Sequence, residues 1–302
     1  MDAPPRRDIG THMDVTLDEL ERVLCSDRGP SVLRTLASLG SGTPLDEEGL
    51  GNVSLLVDLG LGSQMEQGLE LHLLGSKCAD AAREYIFWVE RGRRLHKEDD
   101  WPQLELSGFR DKRVLEIGSG WGCNLFRLQE VTPHSRGCEI EPVYRRFTSI
   151  FARIEGVEPP EIDLGAGEQL PYEDDSFECV LMFSALQYMD ARAAVREVAR
   201  VLKPGGHFIT SQPLFSEVLT DTLRALGRPR ALASKLVELA NSLSYEVASQ
   251  RLFGNAADRS TARPVYLTRH KLVSLLSAVG LTLQQGSSVP VDGESPIIVE
   301  KA

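Results

Sequence analysis

The chain has no apolar run approaching the roughly 20 residues that a membrane-spanning helix needs. Its opening stretch, Met1 to Met13, lacks the apolar core of a secretory signal. Cysteine is scarce and unclustered. The five thiols, Cys25, Cys78, Cys123, Cys138 and Cys179, form no Cys-x-x-Cys pair and no Cys/His group. That excludes a zinc-finger-type site, and no metal is expected. Basic charge is in deficit: 33 Lys and Arg stand against 44 Asp and Glu, a net charge of −11. The electrostatic footprint of a nucleic-acid or anionic-membrane binder is therefore missing. One local basic cluster, Arg91, Arg93 and Arg94, reads as a solvated helix face. No internal repeat is present. These absences predict a cytoplasmic protein with reduced thiols and with neither a nucleic-acid nor a membrane partner.

What is present is an ordinary globular composition, 42% apolar and 25% charged, over 302 residues. That length suits one large domain with an accessory piece. Residues 1–13 read as disordered or as a tag remnant ending in "GTHM", and whether the natural start is Met13 stays open at this level. "TLDE" is a capping box that opens the first helix at Thr16, with Val15 stapled onto Leu20. Residues 46–75, rich in glycine, predict short helices. Cys78, Ala81, Ala82, Tyr85, Ile86 and Val89 then fall at helical spacing. Residues 1–110 are thus expected to form an N-terminal helical region, and residues 111–302 a second domain.

From Arg113 short apolar strands alternate with helices. The strands are "RVLEI", "SRGCEIE", "EIDLGAG", "FECVLMFS", "KPGGHFITSQP", "LTLQQGS" and "SPIIVEK". This alternation predicts an α/β fold, Rossmann-like and doubly wound, with a mostly parallel seven-stranded sheet covered on both faces. A helical insertion over about 214–265 interrupts it, with Leu232, Leu236, Leu239, Ala240 and Leu243 as its apolar stripe. Thr268 caps a later helix, and Gly280 closes it.

One stretch carries chemistry: "VLEIGSGWGCN", Val114 to Asn124. Gly118, Gly120 and Gly122 follow a buried strand and open a helix, which places them at the carboxyl edge of the sheet, where open α/β folds bind ligands. A dinucleotide fingerprint wants glycine at the sixth position of Gly-x-Gly-x-x-Gly, and that position is Cys123. No Gly-Lys-Ser/Thr follows, so the phosphate-binding P-loop fails too. A phosphate here also meets the carboxylate of Glu116. A second acid, Glu139, ends the next strand, where it can accept both hydroxyls of a ribose. The two acids fit one ligand with nucleoside hydroxyls and a cationic group but no phosphate. S-adenosyl-L-methionine has that make-up.

Four motifs in order, "VLEIGSGWG", "GCEIE", "EQLPYEDDSFECVLMFSALQYMD" and "REVARVLKPGGHFI", resemble the class I S-adenosylmethionine-dependent methyltransferases, and most of all their broad small-molecule branch. The resemblance covers roughly residues 110–212 well and 266–302 loosely. It implies a cofactor site of Glu116, Gly118, Ser119, Gly120, Gly122, Asn124, Glu139, Ile140, Gly167, Glu168 and Ser184. In that site Glu116 serves the amino group, Glu139 the ribose and Ile140 the adenine, and Ser184 lies near the methionine moiety. Where many relatives read Gly-Asp-Ala-Glu, this chain reads Gly165, Ala166, Gly167, Glu168, so the acid that meets the adenine amino group is absent at Ala166; backbone groups or Glu168 are the replacements. Relatives often carry His where this chain has Tyr188.

Candidates for acceptor chemistry are Tyr188, Gln187, His72 and His96. A tyrosine is a poor base near neutral pH, with an unperturbed pKa of about 10. His134, His207 and His270 read as structural or surface residues. Tyr85, Trp88 and Trp121 are candidates for lining an acceptor pocket, with a core role the competing reading for each. The N-terminal helices and the insertion are expected to act as lids. Asp/Asn-Pro-Pro-Tyr, typical of base methylation on nucleic acids, is absent.

The resemblance therefore implies methyl transfer to a small-molecule acceptor, first a hydroxyl of a natural product or sugar, with S-adenosyl-L-homocysteine as product. N- or C-methylation of a metabolite, action on a carrier-tethered substrate, and a non-catalytic cofactor-binding partner are the alternatives. The acceptor and the oligomeric state, a homo-oligomer included, stay open at this level.

Overall fold

The computed structural model describes residues 9–65, 68–95, 105–254, 263–283 and 297–302. In chain order the elements are α1 (Ile9–Leu24), α2 (Gly29–Ser41), α3 (Glu47–Asp58), β1 (Gly62–Met65), β2 (Gly68–Leu71), α4 (Leu73–Glu90), β3 (Val114–Ile117), α5 (Cys123–Leu128), β4 (Ser135–Glu139), α6 (Pro142–Glu155), β5 (Ile162–Leu164), β6 (Phe177–Phe183), α7 (Ala191–Val201), β7 (Leu202–Ser211), α8 (Phe215–Arg224), α9 (Pro229–Ala248), α10 (Arg269–Ser277), β8 (Leu281–Leu283) and β9 (Ile297–Lys301). They fall into two compact units. A helical unit takes Met1–Arg94, Gly120–Cys123 and Glu141–Pro160; a sheet unit takes Leu95–Ser119, Asn124–Ile140 and Glu161–Ala302.

In the helical unit, α1 begins at Ile9, not at Thr16. The reason is periodic. Met13, Thr16, Leu17 and Leu20 share one inward face, so the helix runs a turn or more upstream of the capping-box pattern. Thr16 is buried inside it, and Val15 is exposed rather than stapled. Residues 46–75 hold one helix, capped by Asp46 whose carboxylate accepts from Gly49 N at 2.8 Å, and then an antiparallel hairpin of β1 and β2 in place of further short helices. Arg91, Arg93 and Arg94 lie past the end of α4, in a turn rather than on a helix face. There Arg93 grips Glu155 through two hydrogen bonds of 2.6 and 3.0 Å.

The sheet unit carries seven strands in the order β5-β4-β3-β6-β7-β9-β8. The first five in this order are parallel; β9 runs antiparallel to both β7 and β8. All four residues of β3 are buried, as a strand covered on both faces requires. Alternate residues supply opposite faces. Leu115, Ile117, Val180 and Met182 join one core cluster, and Val114, Cys179 and Leu181 the other. The chain leaves β3 toward β4 and β5, then crosses back to β6 on the far side. The strand order therefore reverses between β3 and β6, which makes that gap the topological switch point.

The cap expected at Thr268 is present, its hydroxyl accepting from Lys271 N at 3.1 Å to start α10; Asp190 likewise accepts from Ala193 N at 3.0 Å to start α7. Helix α9 does not follow its expected stripe. Leu236 and Leu243 are 50% and 51% exposed, while Glu238, Asn241, Ser242 and Tyr245 are its buried positions.

Candidate functional site

Strand pairing sets the first part of the site. Glu116 stands opposite Gly137, and Ile117 opposite Cys138. Glu139 therefore falls one step past the last pair, level with Gly118. The turn is tied back there, because the N–H groups of Gly118 and Ser119 both donate to the carbonyl of Cys138, at 2.8 and 3.4 Å. Both acids are buried. The amide of Asn124 donates to Glu116 Oε1 at 2.6 Å, and the backbone N–H of Ile140 donates to Glu139 Oε1 at 2.8 Å.

Gly118, Gly120 and Gly122 all have left-handed backbone, φ 69°, 55° and 89°, which side chains rarely tolerate. Gly118 has a second reason to be glycine. A Cβ there comes within 2.6 Å of Ala185 Cβ, so its side-chain direction is filled by protein and not kept free for a ligand. Gly167 is held likewise by Met189, whose sulfur lies 2.5 Å from the position of a Cβ. Ser119 is buried, and its hydroxyl finds no hydrogen-bond partner among the described residues. Ser184 follows β6 with φ 49°, exposed, its N–H held by Ser211 O at 2.8 Å.

The remaining candidates are placed as follows. Ile140 is half-buried. Ala166 makes a short bridge with Gln169, and Glu168 Oε1 accepts from Asp190 N at 2.9 Å, so that carboxylate also fixes the start of α7. Gln187 and Tyr188 sit on a 3-10 turn, Leu186–Tyr188, just past β6. Gln187 is buried and its Oε1 has no partner among the described residues; Tyr188 is exposed at the rim.

His72 is exposed at the start of α4, its Nε2 2.9 Å from Ser63 Oγ, in the helical unit. His96 lies outside the described residues. Tyr85, Trp88 and Trp121, candidates for a pocket wall, are instead buried together. Tyr85 stacks on Phe151 at 4.2 Å, Trp88 meets Trp121 at 5.4 Å, and the Tyr85 hydroxyl donates to Glu155 at 2.5 Å. Their ring faces are used up in the core of the helical unit. Burial pushes the Cys78 and Cys179 thiols up to about 12, so both pack as neutral apolar groups.

Two residues hold the edge without any local sequence signal. Arg251 Nη2 donates to the carbonyls of Gln187 and Met189 at 2.9 and 2.6 Å. Gln212 Oε1 accepts from Leu186 N at 3.1 Å, while its amide donates to Met182 O and Thr210 Oγ1. A cleft of about 420 Å³ lined by Arg113, His134, Arg136 and Glu161 lies at the amino ends of β3 and β4, the wrong edge for ligands of an open sheet.

Residues 115–210 match the methyltransferase-domain family. They are a class I S-adenosylmethionine-dependent methyltransferase domain. An uncharacterized methyltransferase of Bacillus subtilis, YcgJ, is 32% identical over 148 residues, 45% of this chain and 58% of that protein. Methyltransferase GfsG of Streptomyces halstedii is 30% identical over 141 residues, 46% of this chain and 50% of that protein. The chain spans about half the length of the curated relatives it matches. The crystal structure of YcgJ aligns with a TM-score of 0.45 and 26% identity, covering 64% of this chain and 71% of that one.

The family's methyl donor suits what the sheet unit offers. Two buried carboxylates without an intervening Lys or Arg in the turn fit hydroxyls and an ammonium group, not phosphate. The buried, unmatched hydroxyl of Ser119 is a polar group that a ligand can satisfy.

Proposed function

We propose that the chain transfers a methyl group from S-adenosyl-L-methionine to a hydroxyl of a small molecule such as a natural product or a sugar. One observation carries this reading: two buried acids end neighbouring strands beside a glycine turn, next to the point where the sheet order reverses. Glu116, oriented by the Asn124 amide, holds the ammonium group of the donor. Glu139 accepts from the ribose hydroxyls, and Ile140 lies against the adenine. Ser119 and Ser184 serve the methionine end beside Gly118. With Ala166 in place of an acid, backbone groups of the Gly165–Glu168 turn take the adenine amino group, since Glu168 already binds Asp190 N.

The bound donor supplies an electrophilic methyl group on a sulfonium. The protein's own contribution is alignment of the acceptor and exclusion of water, which rate arguments credit with a large share of such displacements. Tyr188 and Gln187, adjacent at the carboxyl edge, orient the acceptor.

Isothermal calorimetry tests the reading. The protein binds S-adenosylmethionine and S-adenosylhomocysteine, and no binding to either would sink it. Glu139→Ala weakens that binding by the loss of charge-assisted hydrogen bonds, on the order of 1.5–3 kcal/mol each. Unchanged affinity in that variant removes Glu139 from the site.

A further inference from the structure

Parallel strands bring together the residues that open them, at the amino edge of the sheet. Val114 of β3 stands beside Ser135 of β4 and Cys179 of β6, and Gly137 of β4 stands beside Ile162 of β5. The residues at or just before these starts therefore share one edge. The backbone ties them there: Val114 N donates to His134 O at 3.3 Å, and Gly137 N donates to Glu161 O at 2.8 Å. The cleft of about 420 Å³ lies among Arg113, His134, Ser135, Arg136, Glu161 and Phe177, all within the sheet unit. Its size is that of a small-molecule site, about 300–1,000 Å³.

The charges of this cleft are unequally used. Arg136 is fully engaged, with Nη2 2.6 Å from Glu161 and Nη1 3.1 Å from Asp163. Arg136 and Glu161 therefore largely cancel. Arg113 is different. Its guanidinium carbon stands 5.7 Å over the Phe177 ring, and it meets no carboxylate or carbonyl among the described residues. The neighbouring acid Glu178 is engaged elsewhere: it accepts the backbone N–H of Arg113 at 2.8 Å and pairs with Lys203. Phe177 is itself fixed, buried and met edge-on by Tyr172 at 5.0 Å, so the guanidinium rests against a rigid ring.

Two further donors are unspent. Ser135 is 6% exposed, and its hydroxyl finds no hydrogen-bond partner among the described residues. A buried orphan of this kind calls for a water, an ion or a ligand. His134 is exposed, and its ring has no partner among the described residues. Arg113 offers N–H donors and no acceptor, Ser135 an O–H and His134 an N–H.

The lining carries two arginines against one glutamate, one net positive charge, in a chain of net charge −11. One unspent guanidinium is too little for nucleic acid, which needs a basic stripe. It suits a small oxyanion. A carboxylate has two oxygens and is satisfied by a guanidinium fork alone. A phosphate group has three acceptor oxygens, one for each of the three unspent groups. The two edges of the sheet are thus opposite in character. The carboxyl edge, with buried Glu116 and Glu139, repels phosphate; the amino edge holds an unspent cation.

We propose that Arg113, Ser135 and His134 form a second ligand site, which binds the phosphate group of a small molecule.

The test is calorimetric titration of the whole protein with phenyl phosphate, inorganic phosphate and benzoate at matched ionic strength. At least one of the two phosphates binds with a Kd below about 5 mM. The tighter of the two distinguishes a phosphate ester from free phosphate as the natural source. Benzoate binds at least about fivefold more weakly. Arg113→Gln weakens phosphate binding at least about tenfold. Ser135→Ala removes an orphan hydroxyl, so it keeps the melting temperature of the unliganded protein and loses part of the rise that phosphate produces. Should Arg113→Gln fail to fold by circular dichroism, His134→Ala, at an exposed position, carries the decision with a loss of at least about threefold. The proposal is overturned if neither phosphate binds, if benzoate binds as tightly as both, or if the folded variants keep wild-type phosphate affinity.

Discussion

Helices α7 and α9 belong to the same unit and obey opposite rules. Helix α7 turns Ala191, Ala194, Val195, Val198, Ala199 and Val201 inward and keeps Glu197 and Arg200 on its outer side. Helix α9 turns Glu238, Asn241, Ser242 and Tyr245 inward and leaves leucines in water. The difference lies in what each helix meets. Helix α7 shares a core cluster with Ile117, Phe177 and Val180, an apolar sheet whose backbone groups are already paired in strands. Helix α9 meets irregular chain, at 252–253 and 266, whose N–H and C=O groups need partners that no strand supplies. A helix's buried face is therefore set by the hydrogen-bonding needs of its neighbour as much as by its own leucines.

The comparison breaks most visibly at Val198. This residue is fully buried in the apolar cluster, and Val198→Asp places an unpaired charge there. The expected loss exceeds about 4 kcal/mol, enough to unfold the sheet unit. A soluble, folded variant with an unchanged melting temperature shows that the inward face of α7 is not what the core cluster implies.

The converse change belongs to α9. Asn241→Leu makes its inward face more apolar, which by the rule of α7 is stabilising. Here it orphans two backbone N–H groups and one carbonyl at Leu252 and Phe253. A buried unmatched group costs about 1–3 kcal/mol, so urea unfolding is expected to show a net loss on the order of 2–4 kcal/mol. A gain in stability refutes the account of α9.

The same contrast explains what the sequence disclosed. The strands of the sheet were legible because each is a short apolar run bounded by turn residues. Glu116 and Glu139 stood out because a carboxylate at the end of such a run has no packing reason to be there. The cap at Thr268 was legible because capping is local. Partners distant in sequence were not. The start of α1 was misplaced because a plausible capping pattern lies inside a longer amphipathic face. The need for glycine at Gly118 comes from Ala185, and the anchoring of the Gln187 turn from Arg251, neither of which any local pattern signals. The leucine spacing of α9 was real, but which face turns inward depended on chain some ten to thirty residues further along.

A smaller effect sits on the outer side of α7. Arg200 holds Glu197 through hydrogen bonds of 2.7 and 2.8 Å, which outweigh burial and, with the N–H of Leu170, lower its pKa below the ordinary 4.5. Because the folded pKa is depressed, the stabilisation is fully present above pH 4.5 and is lost as pH falls through the lower, folded-state value. The pair is partly exposed, so about 1 kcal/mol is a fair scale. Glu197→Gln lowers the melting temperature near pH 7, and the two proteins converge as pH falls through the folded-state value. A difference that persists undiminished in acid shows that the ion pair is not its source.

The smallest expected effect is the sharpest on orientation. Leu236 and Leu243 are half-exposed, and Val247 is 88% exposed. Leu236→Ser and Leu243→Ser are surface changes of the kind that usually stay within about 0.5 kcal/mol each. Had the apolar stripe of α9 faced inward, each would cost several times that, as a buried leucine truncated in a core does. A measured loss above about 2 kcal/mol at either position turns α9 over. The same rotation carries Glu238 out to water, so two stability measurements on exposed leucines decide which face of α9 is buried.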